Sequence, residues 1–358
     1  MTSIVKNKSC KLSDIAENAG LALSTVSRIL NNNPGDYSSE ETRQRVRLIA
    51  KKLGYRTNFG YKLMQGQKTH TVAIMMAEDY IKSEEHISEL IIRLLNKFDQ
   101  LDYSVYFKTF TYSTVDNLEK VRELISRGVE HFLLLGNPVG AVEIEKEIEN
   151  NERSVLGFNT TEIKRYICVD SACGILAIFR FFLNEGRNFR LVCPVNDLNM
   201  DNTRIIALQR LFPALTFEQI VERYVFTIDA IELCKINLVT DLSAAGWEGT
   251  ARIVKELPQV NALFFLTDYV AIGGANFLTM NGFEVGKGML VAGFNNVPAV
   301  KLYPFPISSV EHDLDRIVSL LVEESLVITP CQHIVEPIVH IRTSNAYTQK
   351  KELAYEKD

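Results

Sequence analysis

The sequence predicts an α/β protein with two parts: an N-terminal three-helix helix-turn-helix headpiece, and a larger body of doubly wound parallel sheets divided into two subdomains. Near the N-terminus, two short helical patterns flank a glycine, and a third helix follows them. From Thr71 onward, buried apolar strands alternate with amphipathic helices, a pattern typical of parallel sheets. The strands are too many for one comfortable sheet, so we expect two.

The first pair of helices lies between Lys11 and Asn31. Ser13 is the expected N-cap of the first helix, and Gly20 supplies the backbone freedom that a tight helix-to-helix turn needs. The second helix is expected from Thr25 to Leu30. Apolar residues recur at the i, i+3, i+4 and i+7 spacing of one face of the first helix: Leu12, Ile15, Ala16 and Ala19. This arrangement is typical of a helix-turn-helix, whose second helix enters the DNA major groove.

A third helix is expected from Ser38 to Leu53, opened by a capping box of Ser38 and Glu41 and ended by Gly54. The charge distribution sets this N-terminal segment apart. Residues 1–68 hold 12 Lys and Arg against 5 Asp and Glu, whereas the rest of the chain holds 27 against 39. A basic segment on an acidic body indicates a polyanionic partner for that segment alone.

In the body, ligands of such sheets bind outside the carboxyl ends of the strands. Helices are expected between the strands, two of them beginning near Trp247 and Val270. The expected strands are Val72 to Met76, Val105 to Phe107, Phe132 to Leu135, Ser154 to Phe158, Phe189 to Cys193, Lys235 to Val239, Ala262 to Leu266, and Met289 to Ala292.

Composition and motifs exclude several classes of protein. The chain has 358 residues, 46% of them hydrophobic, yet no stretch approaches the ~18 uncharged apolar residues of a membrane helix. The N-terminus lacks an apolar signal-peptide core, and the six cysteines lack zinc-ligand spacing. GxSxG, HExxH, P-loop and strand-linked GxGxxG motifs are missing. We therefore expect a cytoplasmic protein with no catalytic residues, no metal and no cofactor.

The run from Asp14 to Asn31, D-I-A-x-x-A-G-L-x-x-S-T-V-S-R-I-L-N, resembles the headpiece of the LacI/GalR family of bacterial transcriptional repressors. Looser motifs of the body follow in the order that the family shows, among them Glu185 to Asn188, Gly293 to Asn295 and Pro306 to Val310. The resemblance covers residues 11 to about 345. It implies a body similar to periplasmic sugar-binding proteins.

The resemblance implies a set of DNA-contacting residues. By position, Leu23, Ser24 and Arg28 face the bases, and Arg28 can address guanine bidentately. The sequence departs from the family pattern at two places in its DNA-binding part. Ala22 stands where the family usually has a capping serine, and Gly60-Tyr61 replaces an Ala-Arg pair in the linker. The remaining candidates are Thr25, Ser27, Asn31 and Tyr37 at phosphates, and Leu63 as a wedge in the minor groove.

The resemblance also implies an effector pocket at the strand ends. Arg204 could bond a hydroxyl pair or a carboxylate in a fork. Asn295 stands where sugar-binding members often carry aspartate, so the ligand could differ in charge or hydroxyl pattern. Trp247, the only tryptophan, is a candidate stacking face as well as a core residue. The predicted pocket residues are Asp79, Asn159, Arg204, Leu242, Thr267, Asp268 and Asn295.

The resemblance predicts a homodimeric, nucleoid-associated repressor of a sugar-utilisation operon. Its partners would be double-stranded operator DNA and a small-molecule effector, a sugar, with no membrane. Two alternatives remain: a co-repressor-dependent regulator responding to a purine or a phosphoprotein, and a sugar-binding module without regulation. The predicted domains are residues 1–56 (headpiece), 57–70 (hinge), 71–345 (effector-binding and dimerisation domain) and 346–358 (charged tail).

Overall fold

The computed structural model of the chain describes residues 10–31, 33, 35–55, 68–77, 85–228 and 239–344. Leu63, predicted as the hinge wedge, Asp79, predicted as a pocket residue, and the predicted charged tail all lie outside these residues. The chain divides into two compact units, Met1–Thr69 and His70–Asp358. Among the helices of the described part, none is long and apolar enough to cross a membrane.

The first unit contains the helices α1 (Leu12–Ala19), α2 (Leu23–Leu30) and α3 (Glu40–Lys52). Their apolar stripes close into one small core, as the sequence predicts. Gly20 ends α1 in the left-handed conformation, with φ of 63°. The buried core residues are Ile15, Ala16, Ala19, Val26, Ile29, Val46 and Ala50.

Both predicted N-caps are wrong by one or two positions. Lys11, not Ser13, is the residue before α1. Its backbone N–H donates to Asp14 Oδ2 at 2.8 Å, so a side chain in the first turn bonds back to the residue before the helix. Ser39, not Ser38, caps α3 by accepting a hydrogen bond from the Thr42 N–H at 3.3 Å. Ser38 is excluded because it belongs to the preceding turn, where its N–H donates to Asp36 Oδ1 at 3.0 Å.

The second unit contains two six-stranded sheets, so the predicted doubly wound architecture is confirmed. The strand order is β11-β5-β4-β3-β1-β2 in sheet 1 and β12-β10-β9-β8-β6-β7 in sheet 2. Among the described strands, β12 alone pairs antiparallel, with β10 as its neighbour. The strands are β1 (Thr71–Ala77), β2 (Ser104–Phe110), β3 (His131–Leu135), β4 (Ser154–Phe158), β5 (Tyr166–Val169), β6 (Phe189–Pro194), β7 (Val225–Ile228), β8 (Ala262–Phe265), β9 (Leu290–Phe294), β10 (Ser308–Glu311), β11 (Gln332–Val335) and β12 (Ile338–His340).

Helices cover both faces of each sheet. In β1, Val72, Ile74 and Met76 point into one core, while Ala73 and Met75 point into another. A strand buried on both faces reads as a continuous apolar run rather than an alternating one. The helices of this unit are α4 (Glu85–Gln100), α5 (Thr114–Ser126), α6 (Ala141–Asn150), α7 (Ser171–Asn184), α8 (Thr203–Leu211), α9 (Phe217–Tyr224), α10 (Val239–Glu256), α11 (Asp268–Met280), α12 (Pro298–Lys301) and α13 (Leu314–Ser325).

Three connections in the described part carry the chain between the subdomains. They run from β5 to α7, from β10 to α13, and from β11 to β12, and each spans only one or two residues. The first is held by Asp170, which caps α7 by accepting from the Cys173 N–H at 3.2 Å. Because each connection leaves the carboxyl end of a strand, the carboxyl edges of the two sheets adjoin each other.

The structure departs from the predicted elements in one long segment. Val239 begins α10 rather than ending a strand, so this helix starts eight residues before Trp247. The rest of the expected strand lies outside the described residues. Trp247 packs edge-on against Phe277 of α11, with ring centroids 5.3 Å apart, so in the described structure its ring lies between two helices.

The helices α10 and α11 approach each other through two glycines. A Cβ on Gly246 would lie 1.9 Å from the Val270 carbonyl oxygen, and one on Gly273 would lie 1.8 Å from the Ser243 carbonyl oxygen. Contacts of this kind involve backbone atoms, which cannot rotate out of the way. The separation of the two helices is therefore set by the lack of side chains at these two positions.

We expect Gly246→Ala to lower the free energy of unfolding by about 1–3 kcal/mol or more, because α10 must move away from α11. The measurement is the urea midpoint of the full chain. Gly288→Ala is the matched control, since its Cβ would meet no atom nearer than 3.7 Å. Equal midpoints for the two variants would contradict the close-packing interpretation.

Candidate functional site

The helix α2 presents one apolar face to the core and one face to solvent. Val26 and Ile29 are buried, whereas Leu23, Ser24 and Arg28 are exposed. Leu23 is 52% exposed, which is unusual for a leucine in so small a core. The three side chains predicted to face bases therefore share the solvent face of one helix.

The residues predicted to meet phosphates lie around that face. Thr25 and Ser27 are half-buried on α2, and Asn31 Nδ2 donates to Ser27 Oγ at 3.3 Å. Tyr37, in the segment before α3, is 94% exposed. Ala22 precedes α2 without a side-chain cap hydrogen bond. The side chain at position 22 therefore caps none of the backbone N–H groups in the first turn of α2.

Two of the headpiece arginines stabilise the headpiece itself. Arg43 Nε lies 2.8 Å from Asp36 Oδ2. Hydrogen bonds from Ser38, together with the hydrogen bond and charge of Arg43, lower the pKa of Asp36 to about 2. Arg45 Nη2 donates to the Ala19 carbonyl oxygen at 3.1 Å, at the end of α1. These contacts favour structural roles for both side chains.

In the body, the same three residues, Gly-Phe-Asn, stand at the end of one strand in each sheet. That strand is the third in the spatial strand order given above. The two triplets are Gly157 to Asn159 on β4 and Gly293 to Asn295 on β9. Both asparagines are left-handed, with φ of 55° at Asn159 and 96° at Asn295. Asparagine tolerates this conformation better than most residues. This repeat was a signal in the sequence that the prediction did not use.

Asn159 and Asn295 turn the chain at the carboxyl edge of their sheets. Asn159 Oδ1 accepts a hydrogen bond from the Val169 N–H at 3.0 Å, which ties β4 to the end of β5. The Asn295 N–H donates to the Val310 carbonyl oxygen at 2.8 Å. Each asparagine therefore has a structural contact as well as its place at the strand end.

Arg204 lies next to the second of these turns. It belongs to the first turn of α8, and its Nη2 donates to the Leu266 carbonyl oxygen at 2.8 Å. Its Cζ lies 5.0 Å from the centroid of the Phe294 ring. The structure thus brings Arg204, the end of β8 and the end of β9 together, as the pocket prediction requires of Arg204 and Asn295.

A cavity of about 150 Å³ opens at the carboxyl ends of β6, β7 and β8. Leu242 and Thr267, both predicted pocket residues, line it together. Leu266, whose carbonyl oxygen accepts from Arg204, lines it as well. Its remaining lining residues are Val192, Pro194, Asp197, Ile228 and Val270. The lining is therefore mostly apolar, with one carboxylate and one hydroxyl.

Asp268 does not face this space. Its side chain is fully buried, Oδ1 accepts from Ser309 Oγ at 2.7 Å, and Oδ2 accepts from the Val297 N–H at 2.8 Å. Burial raises the pKa of Asp268 to about 7, although the hydrogen bonds oppose the rise. The Asp268 carboxylate thus bonds to Ser309 and Val297, whereas the sequence predicts that it contacts the ligand.

Two histidines lie at the junction of the subdomains, and their contact with each other was not predicted. His86, in the first turn of α4, stacks on His312, with ring centroids 4.5 Å apart. His312 lies in the connection from β10 to α13, and it meets the Phe294 ring edge-on at 5.3 Å. The residues are 226 positions apart along the chain, so only the fold brings them together. No spacing pattern could have indicated this contact.

Among the predicted pocket residues, Asn159 follows a strand of sheet 1, whereas Arg204, Leu242, Thr267 and Asn295 all belong to the second subdomain. The ring series from Phe294 through His312 to His86 reaches from sheet 2 into the first subdomain. A ligand held there would touch both subdomains. Such a position at adjoining strand ends is where open α/β sheets bind small molecules.

Comparison with known proteins adds the following. Residues 11–58 match the model of the family described as bacterial regulatory proteins, lacI family. The HTH-type transcriptional regulator RegA of Clostridium saccharobutylicum is 21% identical over 298 residues, 82% of this chain and 85% of that protein. The HTH-type transcriptional regulator TreR of Escherichia coli strain K12 is 24% identical over 299 residues, again 82% and 85%.

Solved structures show the same fold. The lac repressor dimer bound to operator and the anti-inducer ONPF aligns with a TM-score of 0.72 and 16% identity, over 94% of this chain and 99% of that one. The complex of the transcriptional regulator CelR with cellobiose aligns with a TM-score of 0.54 and 18% identity, over 94% and 99%. At these identities the likeness concerns the fold.

The buried carboxyl of Asp268 predicts a specific pH dependence of stability. Because its pKa rises from 3.8 in the unfolded chain to about 7 in the fold, the folded state binds a proton that the unfolded state has released. The contribution of protonated Asp268 to the free energy of unfolding is fully present below pH ~4. It falls by up to about 4 kcal/mol as the pH rises to ~7.

Asp268→Asn mimics the protonated form, since its Oδ1 can accept from Val297 and its Nδ2 can donate to Ser309. We expect the variant to lack this fall, and to be more stable than the unsubstituted chain at pH 7.5. The comparison is between urea midpoints of the two proteins from pH 4.5 to 7.5. Parallel pH profiles would show that Asp268 stays ionised in the fold.

Proposed function

We propose that the chain is a member of the LacI family of bacterial regulatory proteins, and that it is a repressor that binds operator DNA under the control of a small sugar. The relatives and structural neighbours described above are transcription regulators rather than enzymes. We place it in the cytoplasm, on the nucleoid. The purine and phosphoprotein alternatives find no support among those relatives.

One observation carries the DNA-binding part of the proposal. Leu23, Ser24 and Arg28 project from the solvent face of α2, whose opposite face is held by the headpiece core. A helix positioned in this way can enter the major groove. Arg28 can then contact guanine O6 and N7, and Leu23 can contact a thymine methyl group. The half-buried hydroxyls and Tyr37 would hold the phosphates that fix the register.

A near-palindromic operator needs a protein with two-fold symmetry. The lac repressor neighbour is a dimer on its operator, and we propose a homodimer for this chain too. In the proposed division, residues 1–56 read DNA, residues 57–70 form the hinge with Leu63 as its wedge, and residues 71–345 bind the effector and dimerise. Residues 346–358 form the tail.

The sugar part of the proposal draws on the cleft and on two comparisons. CelR was solved with cellobiose, and a relative from Pediococcus pentosaceus, 25% identical over 132 residues, is a sucrose operon repressor. In this chain, Arg204 and Asn295 offer hydroxyl-bonding groups beside the Phe294 ring. We propose Asp79 and Asn159 for the facing wall.

We propose that the sugar acts by changing the angle between the subdomains. A ligand touching both sheets favours one arrangement at the three short connections, and its differential affinity sets the size of the effect. Couplings of this kind are typically ~1–3 kcal/mol. The affinity of the headpiece pair for operator would change by the corresponding factor.

Arg28→Ala tests the reading helix. We expect it to weaken binding to the operator by about 1–3 kcal/mol, because a bidentate base contact is lost, and to weaken binding to random DNA much less. The operator is first obtained by selecting genomic fragments that the purified protein retains. Affinities are then compared by mobility shift at one fixed salt concentration.

Arg28→Lys is the matched control, since it keeps the charge but loses the planar fork. It should retain binding to random DNA and still lose discrimination. If Arg28→Ala reduces binding to operator and random DNA by the same factor, Arg28 contacts phosphate and not a base.

Arg204→Ala tests the cleft. We expect the variant to keep its affinity for operator but to lose the thermal stabilisation that an active sugar gives the unsubstituted chain. The assay screens pentoses, hexoses and disaccharides by thermal shift, and then repeats the mobility shift with the active sugar. Arg122→Ala is the control, because Arg122 pairs with Glu147 at 2.9 Å between α5 and α6, away from the cleft residues and from the three connections. A full sugar response in Arg204→Ala would remove this residue from the site.

A further inference from the structure

A cysteine, a histidine and a glutamate meet at the edge of sheet 1, away from the cleft residues. Cys331 precedes β11 and His333 lies within it, two positions on, so both side chains point to the same face of the strand. Glu324 belongs to the last turn of α13, which packs on that face. The burial pattern agrees, since Gln332 and Ile334 are exposed while Cys331 and His333 are half-buried.

The three donor groups converge closely. A sulfur, a ring nitrogen and a carboxylate oxygen from Cys331, His333 and Glu324 all lie within 4.8 Å of one another. His333 Nε2 is 2.9 Å from Glu324 Oε1. Neither side chain is fully exposed, at 36% for His333 and 21% for Glu324. The group is therefore shaped by packing and still accessible from solvent.

Arg165 holds the framework of this cluster in place. It is buried, and its guanidinium donates to three carbonyl oxygens: Thr329 at 2.8 Å, Val155 at 3.1 Å, and Glu324 at 2.5 Å. These bonds fix the end of α13, the loop before Cys331 and the neighbouring strand β4 relative to one another. Burial raises the pKa of the Cys331 thiol, and the Arg165 charge opposes the rise.

We propose that Cys331, His333 and Glu324 bind a divalent transition-metal ion of the zinc class. Thiolate, imidazole and carboxylate are the three ligand types that zinc takes in proteins, at about 2.3, 2.0–2.1 and 2.0–2.2 Å. In a tetrahedral site those bond lengths place the ligand atoms roughly 3.4–3.6 Å apart. Side-chain rotations that shift the ligand atoms by about 1 Å would bring the present cluster to that spacing. Water completes the fourth position.

A second His–Glu pair in the body differs from this cluster, because other protein side chains already bond to its carboxylate. His340 Nε2 lies 2.5 Å from Glu311 Oε2, and the same carboxylate also accepts from Lys301 and Asn296. No thiol takes part in that pair, and a lysine already supplies positive charge. In the proposed site the carboxylate instead faces a thiol and an imidazole, both of which can be metal ligands.

The sequence prediction of no metal rested on zinc-ligand spacing of the cysteines. This set escapes such a search because it has one cysteine, and because its glutamate comes from a helix seven residues earlier. A bound ion would fasten β11 to α13. Since β11 leads directly into the connection to β12, the ion would stiffen one of the three links between the subdomains.

The test uses the full chain, treated with chelator and then titrated with Co²⁺ as a spectroscopic probe. We expect one equivalent to bind with a thiolate-to-metal charge-transfer absorption, and Zn²⁺ to displace it. Cys331→Ser should abolish the absorption and lower Zn²⁺ affinity, measured by calorimetry, by at least about tenfold. Glu324→Gln should keep the absorption but weaken binding.

Cys168→Ser and His340→Asn are the controls, and both should bind as the unsubstituted chain does. No thiolate absorption in the unsubstituted chain, or unchanged absorption in Cys331→Ser, overturns the proposal. If Cys331→Ser does not fold, His333→Asn decides by the same readout: undiminished Zn²⁺ affinity in that variant also overturns it. Operator and sugar binding are measured separately, so this result is independent of the proposed function.

Discussion

The second subdomain depends on one buried carboxyl group. Asp268 joins three segments that are distant in the chain: the start of α11, the turn after β9 through the Val297 N–H, and β10 through Ser309. Gly293 is required beside it, because a Cβ there would lie 2.4 Å from Asp268 Oδ1. These segments carry Thr267 and Asn295. A group hidden from solvent thus sets the positions of residues that face the cleft.

Within the described residues, stacked rings and three short links join the two subdomains. His86 and His312 stack across the junction, and Phe294 extends the series toward Arg204. Each of the four cores described in the body lies within one subdomain, so the change of angle proposed above would leave all four intact.

Local patterns were sufficient for the headpiece and for most of the body. The headpiece core follows the helical spacing of Ile15, Ala16 and Ala19, and long buried strands such as β1 are apolar throughout. The short strands at or near the sheet edges, β5, β7, β10, β11 and β12, have three or four residues, too few to establish a period. Their positions depend on pairing with distant strands, which no local window contains.

The same limit applies to the site. Arg204 and Asn295 came from positions in a family pattern, and the fold places them near each other. Asp268 came from the same pattern, yet its side chain turns inward, because the orientation of a residue at a helix start depends on what packs behind it. The His86–His312 contact and the Cys331, His333 and Glu324 cluster depend wholly on tertiary structure.

The order of the elements has a consequence for synthesis of the protein. Sheet 1 is started by β1 but receives β11 only after residue 331, and the core on one of its faces contains residues of α13. Sheet 2 receives β12 later still. Sheet 1 therefore waits for its last strand until nearly all of sheet 2 has been made, and sheet 2 is completed a few residues later. Until residue 335 has emerged, the growing chain carries two unfinished sheets, and incomplete sheets of this kind are prone to aggregation.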